Sequence, residues 1–428
     1  MTTTPPYPAI DWPTQPRADA FNSWLAAQAP LHQLNPSSVR SASADASFRR
    51  YFRVDSSSPA LGPSCIIMDA PPDKEDCEPF AKVAALMQQA GLHAPRVLAW
   101  DKPQGFMLLS DLGAQTMMEV INPPAAVDAI AQPTDADREL YAQATDALVK
   151  WQLASQPNVL PEYDEALLNR ELALLPDWYI AQHKQLVLST EQQATLSDAF
   201  KLIVASNLQS LGGARVFVHR DFMLRNLIAP TLVASRTSLH LAGRRSPEAS
   251  LLSPVQIRSS EFEAAGSSPE GALRLRPGKA GSAAPAGEIG DAHINSLGIL
   301  DFQDAVYGPI TYDIASLMRD AFLTWEEDFV LDITVRYWQK ARAAGLPVGD
   351  DFGEFYRAVE WMGLQRHIKI LGIFARLTLR DGKAKYLADT PRFVKYVRAT
   401  CARYRQLGPL MVLLDHIEGN ETRIGYTF

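Results

Sequence analysis

Hydrophobic and polar positions divide the chain into two regimes. Up to about residue 113 the apolar runs are short and alternate with polar residues, a two-residue period that predicts strands. These are Arg49-Arg-Tyr-Phe-Arg-Val54, returning from a small-residue run Ser41-Ala-Ser-Ala-Asp-Ala-Ser-Phe48 through a tight loop, then Cys65-Ile-Ile-Met68, Val97-Leu-Ala-Trp100 and Phe106-Met-Leu-Leu109. A turn at Lys102-Pro-Gln-Gly105 joins the last two. Two helices interrupt them: 17–29, with Phe21, Trp24 and Leu25 on one face, and 79–90, with Phe80, Val83, Leu86 and Met87 inward and Gly91 as its stop. From about residue 137 the period lengthens to that of amphipathic helices, predicted at 137–152, 164–183, 190–206, 325–344, 351–380 and 391–407. One buried strand, Arg215-Val-Phe-Val218, lies among them. A small antiparallel sheet lobe (1–113) followed by a larger helical lobe (114–428) is an α+β bilobal plan.

One segment departs from both periods. Residues 231–296 are crowded with Ser, Ala, Gly and Pro, hold Phe262 as their one aromatic residue, and carry seven Lys/Arg against six Asp/Glu. Such a stretch cannot bury enough apolar surface to offset its ordering entropy, and it reads as a disordered insertion in a hairpin.

Bulk composition narrows the function classes. A hydrophobic content of 47% with 21% charged residues suits a folded globular chain, and the net charge of −7 excludes the basic footprint of a nucleic-acid binder. Cys65, Cys77 and Cys401 have no metal-ligand spacing and read as reduced thiols. The Thr- and Pro-rich start is no signal peptide, and no apolar run reaches about 18 residues, so a cytoplasmic protein without a membrane span is expected.

The chemistry is carried by Val216-Phe-Val-His-Arg-Asp221-Phe-Met-Leu-Arg-Asn226-Leu-Ile228. An apolar strand enters a loop that presents His219, Asp221 and Asn226, and a second apolar strand leaves it. Phosphoryl transfer from ATP to a hydroxyl requires a carboxylate at the attacking oxygen, which Asp221 supplies, and hard oxygen ligands for Mg2+, of which Asn226 is one. The second ligand is Asp301, at the end of Leu297-Gly-Ile-Leu300. With the insertion set aside, this strand follows Leu227-Ile228 directly, and a hairpin would place Asn226 beside Asp301. His219 reads as a packed residue bracing the loop.

With Ala44-Asp-Ala-Ser-Phe-Arg-Arg-Tyr-Phe-Arg53, Met68-Asp-Ala-Pro-Pro72, the run from Asp301 to Leu317, and Gln365-Arg-His-Ile-Lys-Ile-Leu-Gly-Ile-Phe-Ala-Arg376, the chain resembles the aminoglycoside phosphotransferase and choline kinase-like superfamily. Within it, the similarity is greatest to the bacterial anomeric kinases of N-acetylmuramate and N-acetylglucosamine. The resemblance implies a protein kinase-like fold and an ATP- and Mg2+-dependent kinase of a small-molecule sugar, making a sugar 1-phosphate in peptidoglycan recycling. It implies Asp221 as catalytic base, Asn226 and Asp301 as metal ligands, a phosphate-covering loop with Ser43, Ser47 and Phe48, and an interlobe hinge with Leu109 and Ser110. Asp313 would brace the catalytic loop.

Two features depart from the family pattern. The covering loop contains no glycine, and the strand Cys65–Met68 does not end in the expected phosphate-binding lysine. Arg49, Arg50 or Lys74 would have to supply that charge, unless metal and backbone donors suffice. The acceptor side draws on Asp304, Glu171, Trp178, Arg366 and Lys369. Trp178 stacks on a sugar or packs in the core; Arg366 and Lys369 bind a lactyl carboxylate or line an exposed basic face. Other acceptors, such as choline, homoserine or an aminoglycoside, and a nucleotide-binding pseudokinase remain as alternatives.

Overall fold

A computed structural model describes residues 7–8, 10–44, 48–122, 129–230 and 296–420. Ser47 and all of the 231–296 insertion except Ser296 lie outside the described residues.

The first lobe opens with helix α1 (Gln15–His32), capped at its start by the Thr14 hydroxyl. Strands β1 (Leu34–Ala44), β2 (Arg50–Ser56) and β3 (Ser64–Asp69) follow, then helix α2 (Glu78–Gln89) and strands β4 (Val97–Asp101) and β5 (Phe106–Ser110). The sheet is antiparallel throughout and runs β1-β2-β3-β5-β4. Its two faces carry separate cores. Phe52 and Val54 of β2, with Cys65 and Ile67 of β3, meet Phe21, Trp24 and Leu25 of α1 on one side. Met68 and Leu109 point the other way, into the large core shared with α2 and the helical lobe. Strand alternation thus divides the sheet between a satellite core and the main one.

The second lobe contains α3 (Met117–Ile121), the short strand β6 (Ile130–Ala131), α4 (Asp135–Leu153), α5 (Glu165–Leu172) and α6 (Thr190–Gln209). Strands β7 (Arg215–Val218), β8 (Leu227–Ile228), β9 (Gly298–Ile299) and β10 (Val306–Pro309) come next, then α7 (Tyr312–Met318) and β11 (Thr324–Trp325). The chain closes with α8 (Glu327–Ala343), α9 (Phe352–Leu379), α10 (Thr390–Arg403) and α11 (Gly408–Glu418). Helix α9 runs through the middle, with both its polar and its apolar side chains buried over most of its length.

Several boundaries differ from the periodicity. The predicted helix 164–183 breaks after Leu172, and Leu175–His183 winds as a π-helix. Pro176 removes a helical N–H there, and Gly372 of α9 packs so tightly on the Leu174 backbone that a Cβ at 372 would fall 2.3 Å from the Leu174 carbonyl. Trp325 pairs in β11 with β6 rather than starting a helix. The last predicted helix ends at Arg403, and the chain resumes as α11 beyond a 3₁₀ turn, Arg405–Leu407. No helix among the described residues is long and apolar enough to cross a membrane.

Candidate active site

Two antiparallel strand pairs frame the loop that carries His219, Asp221 and Asn226. β7 pairs with β10, and β8 pairs with β9 with Leu227 opposite Ile299 and Ile228 opposite Gly298. The second pair is held from both sides, by Ile299 N–H to the His93 carbonyl (2.9 Å) and Ala229 N–H to the Gln115 carbonyl (2.9 Å). Strand pairing across the insertion therefore sets the position of Asp301. Leu300 N–H donates to the Asn226 carbonyl (2.8 Å), and Asn226 Nδ2 donates to Asp301 Oδ2 (3.1 Å) and to the Asp221 carbonyl (2.9 Å). One amide thus ties together the three residues that sequence reasoning singled out. Gln303 Nε2 donates to the other Asp301 oxygen (2.8 Å).

The loop is strained at two points. Arg220 has φ 76° and Asp301 φ 62°. A left-handed backbone costs a non-glycine residue about 1–2 kcal/mol and persists only where its surroundings impose it. At Arg220 the imposing group is Asp313 of α7, buried, whose two oxygens accept the His219 N–H (2.7 Å) and the Arg220 N–H (3.0 Å). Burial drives the Asp313 carboxyl up to about 7, against the opposing pull of these two N–H groups and of Arg366. His219 Nδ1 accepts the Asp221 N–H (3.2 Å), so Nε2 carries the proton and donates to the Leu300 carbonyl (3.0 Å). Burial keeps this imidazole neutral, its pKa pushed down to about 4. Lower in the loop, Asp320 accepts the Leu224 N–H (3.1 Å) and the Phe322 N–H (2.8 Å). The result is a half-buried Asp221 on a backbone fixed at its neighbouring peptides.

A buried cluster stands behind the loop. Glu171 of α5 is 4% exposed and receives Arg220 Nη2 (2.5 Å), Lys369 Nζ (2.8 Å), Tyr163 Oη (2.5 Å) and Gln365 Nε2 (2.9 Å). Although burial alone would raise its pKa, the Lys369 and Arg220 cations hold the Glu171 carboxyl down at about 2. Lys369 also donates to Tyr312 Oη (3.2 Å), and the Arg366 guanidinium lies 5.1 Å from the Tyr312 ring. Glu171, Arg366 and Lys369 are therefore buried parts of the loop's support, contrary to the expectation of an acceptor-facing set. Trp178 is half-buried on the π-helix and packed on the core. Asp304 is exposed, and its carbonyl lies 3.5 Å from Arg220 Nη1.

On the nucleotide side, Met68 is fully buried where a phosphate-binding lysine was expected, and Asp69 is buried between two arginines. Arg17 Nη2 reaches Asp69 Oδ1 at 2.5 Å, and Arg50 closes on Oδ2 while covering the Trp12 ring at 4.4 Å. Arg50 is thereby committed to the α1 side of the sheet, which removes it from the phosphate candidates. Arg49 points elsewhere: its guanidinium pairs with Glu75 (3.1 Å), which also accepts the Phe48 N–H (3.2 Å) at the end of the covering loop. Leu109 sits within the sheet opposite Ile66 and Val97, and Ser110 exchanges bonds with the Arg96 backbone (2.9 and 3.0 Å). Beyond it, Asp111 accepts Arg53 Nε (2.6 Å) and Ser64 Oγ (2.6 Å), fixing the linker between the lobes. Sequence reasoning had no signal for Glu75 or Asp320, because each acts on a partner distant in the chain.

The Asn226 amide and the Asp301 carboxylate form the hard oxygen donor set that suits Mg2+, which takes one or two protein ligands and completes its shell with phosphates and water. A carboxylate beside two oxygen donors suited to a metal ion is the arrangement that phosphoryl transfer to a hydroxyl requires.

Comparison with known proteins agrees. The sequence profile described as APH, phosphotransferase enzyme family, matches residues 38–231 and 293–350. The chain is 39% identical to the N-acetylmuramate/N-acetylglucosamine kinase of Pseudomonas aeruginosa, over 93% of this chain and 96% of that one. It is also 39% identical to the kinase of the same name from Neisseria meningitidis serogroup B, over 90% and 93%. Among solved structures, the choline kinase of Cryptosporidium parvum Iowa II is similar in fold, with TM-score 0.53 at 11% identity over 92% of this chain and 98% of that one. An ethanolamine kinase from Plasmodium vivax gives 0.52 at 10% identity over 93% of each.

Proposed function

This chain belongs to the APH phosphotransferase enzyme family, and from that premise we propose that it transfers the γ-phosphoryl group of ATP to the anomeric hydroxyl of N-acetylmuramate and N-acetylglucosamine. The product is a sugar 1-phosphate, and the setting is the cytoplasmic recycling of peptidoglycan amino sugars. The observation that carries the reading is the meeting of Asp221, Asn226 and Asp301 through one amide.

Asp221 accepts a hydrogen bond from the acceptor hydroxyl and aims its lone pair in line with the γ-phosphorus. An anomeric hydroxyl is more acidic than an ordinary alcohol, so the carboxylate has more to orient than to deprotonate. Asn226 and Asp301 would hold Mg2+, which when bound neutralises charge on the nucleotide phosphates. Arg49, kept in place by Glu75, supplies the positive charge that β3 lacks. Leu109 and Ser110 lead the chain to the adenine side.

The test is ADP release measured with a panel of amino sugars, choline, homoserine and aminoglycosides, followed by phosphorus NMR of the product. An anomeric phosphate on an amino sugar is expected. Turnover of choline or an aminoglycoside with none of an amino sugar would overturn the reading, and no stimulation of ADP release by any acceptor would point to a nucleotide-binding module.

A further inference from the structure

The two sugars in the proposed substrate pair differ in one group: N-acetylmuramate carries a lactyl ether, and hence a carboxylate, at C3. A site that accepts both needs a cation near the acceptor side of Asp221, free of protein carboxylates and reachable from water. The cations expected from sequence, Arg366 and Lys369, do not qualify. Lys369, like Arg220, is spent on Glu171, and Arg366 is 3% exposed.

Arg225 does qualify. It sits in the catalytic loop itself, on the 3₁₀ turn Leu224–Asn226. In such a turn successive side chains point about 120° apart. Leu224 is buried with its N–H on Asp320, Asn226 faces Asp301, and Arg225 is left exposed. Its guanidinium carbon lies 3.3 Å from the centroid of the Phe322 ring. Among the described residues it makes no ion pair or hydrogen bond; Asp320 and Asp389 act on it only through space. Phe322, in the segment between α7 and β11, stacks in turn on Phe374 of α9, so the surface under Arg225 is rigid.

That arrangement has a specific consequence. Stacking occupies the flat face of the guanidinium and leaves its in-plane N–H donors pointing outward, preorganised for a bidentate carboxylate. Arg225 also lies on the helical-lobe side of the loop, against Phe322, whereas the nucleotide elements are on the sheet-lobe side. C3 and C1 of a pyranose ring are two bonds apart, so a carboxylate arm at C3 can reach a cation four residues along the loop from Asp221 while the C1 hydroxyl meets Asp221. Resting on the amino-sugar kinase reading above, we infer that Arg225 is the specificity residue that recognises the lactyl carboxylate of the acceptor.

The experiment compares kcat/KM for N-acetylmuramate, its lactyl carboxamide and N-acetylglucosamine in the wild type, Arg225→Gln and Arg225→Lys, with thermal melting to check folding. In the wild type the acid is preferred over its amide. In Arg225→Gln the ratio of N-acetylmuramate to N-acetylglucosamine should fall about ten- to a hundredfold, through KM, as expected for losing a charged hydrogen bond. The acid and amide should then become equivalent, and Arg225→Lys should restore part of the ratio. An equal loss on all three acceptors, or an unchanged ratio, would overturn the assignment. A wild type that phosphorylates N-acetylglucosamine but not N-acetylmuramate overturns it too, while leaving the kinase reading intact; a wild type active on neither sugar removes both.

Discussion

At the scale of single residues, the carboxylate proposed as catalytic and its support behave differently, and mutation should separate them. Asp221→Asn keeps the shape and the Asn226 bond, which uses the Asp221 carbonyl, but removes the proposed base. Turnover is expected to fall by about 10²–10⁴-fold, with ATP affinity by titration calorimetry little changed; activity near wild type would take Asp221 out of the reaction. Glu171 makes the opposite case. Its folded pKa of about 2 lies below the ordinary 4.5, so its stabilisation is complete above about pH 4.5 and is lost as pH falls toward 2. Glu171→Gln leaves Arg220 and Lys369 buried without their counter-ion and should cost about 3–5 kcal/mol at pH 7. Denaturant unfolding of the variant should also show a flatter pH dependence between 4.5 and 2. An unaltered acid profile would mean that the cluster does not hold the loop. Asp221, Asn226 and Asp301 were legible because local strand patterns deliver them. The partners of Glu171 were not, since 49 positions separate it from Arg220 and 194 from Gln365. A lone acid on a helix looks the same whether it faces solvent or two buried cations.

At the scale of elements, short apolar strands were legible and helix interruptions were not. β7, β8 and β9 follow from short apolar runs flanked by polar loops, and the register of β8 on β9 places Asn226 beside Asp301 as their order suggested. The π-helix and α11 follow from tertiary causes: a glycine on α9 pressed against Leu174, and a chain that resumes helix at Gly408-Pro409 because Leu410, Leu413 and Leu414 find a core. Propensity within a window carries neither. The β8–β9 pair also bears on the insertion. Ile228 and Gly298 are opposed, and the family profile skips 232–292. Removing 231–295 leaves Ala229, Pro230, Ser296 and Leu297 as a four-residue hairpin loop, an ordinary length. The shortened protein should retain its melting temperature and a kcat within about twofold, since loop-closure entropy changes slowly with length. A large loss of kcat with unchanged melting would assign the insertion a part in turnover.

At the scale of the whole molecule, the two lobes share one core where they meet at the site. Met68, Phe80, Val83 and Met87 of the sheet lobe belong to the same buried cluster as Leu227, Ile299, Phe302 and Tyr312 of the helical lobe, whereas the α1 face packs by itself. Phe80 of α2 lies 4.9 Å, centroid to centroid, from Phe302, the residue after Asp301, so the helix that caps the sheet lobe bears directly on the metal-side loop. Ile299 N–H on the His93 carbonyl ties the lobes at a further point. A core continuous across both lobes predicts one cooperative unfolding transition, because neither lobe can expose its half of the cluster alone. Phe80→Ala tests the coupling. Phe80 is 4% exposed, and truncating a buried phenylalanine costs about 3–5 kcal/mol. The loss should lower the single calorimetric transition rather than split it, because the cavity opens inside the shared core. It should also reduce kcat, since Phe302 loses the ring that holds it and Asp301 sits next to Phe302 in the chain. A variant that melts in two steps, with the helical lobe unaffected and kcat intact at low temperature, would show that the lobes are independent and that α2 has no hold on Asp301.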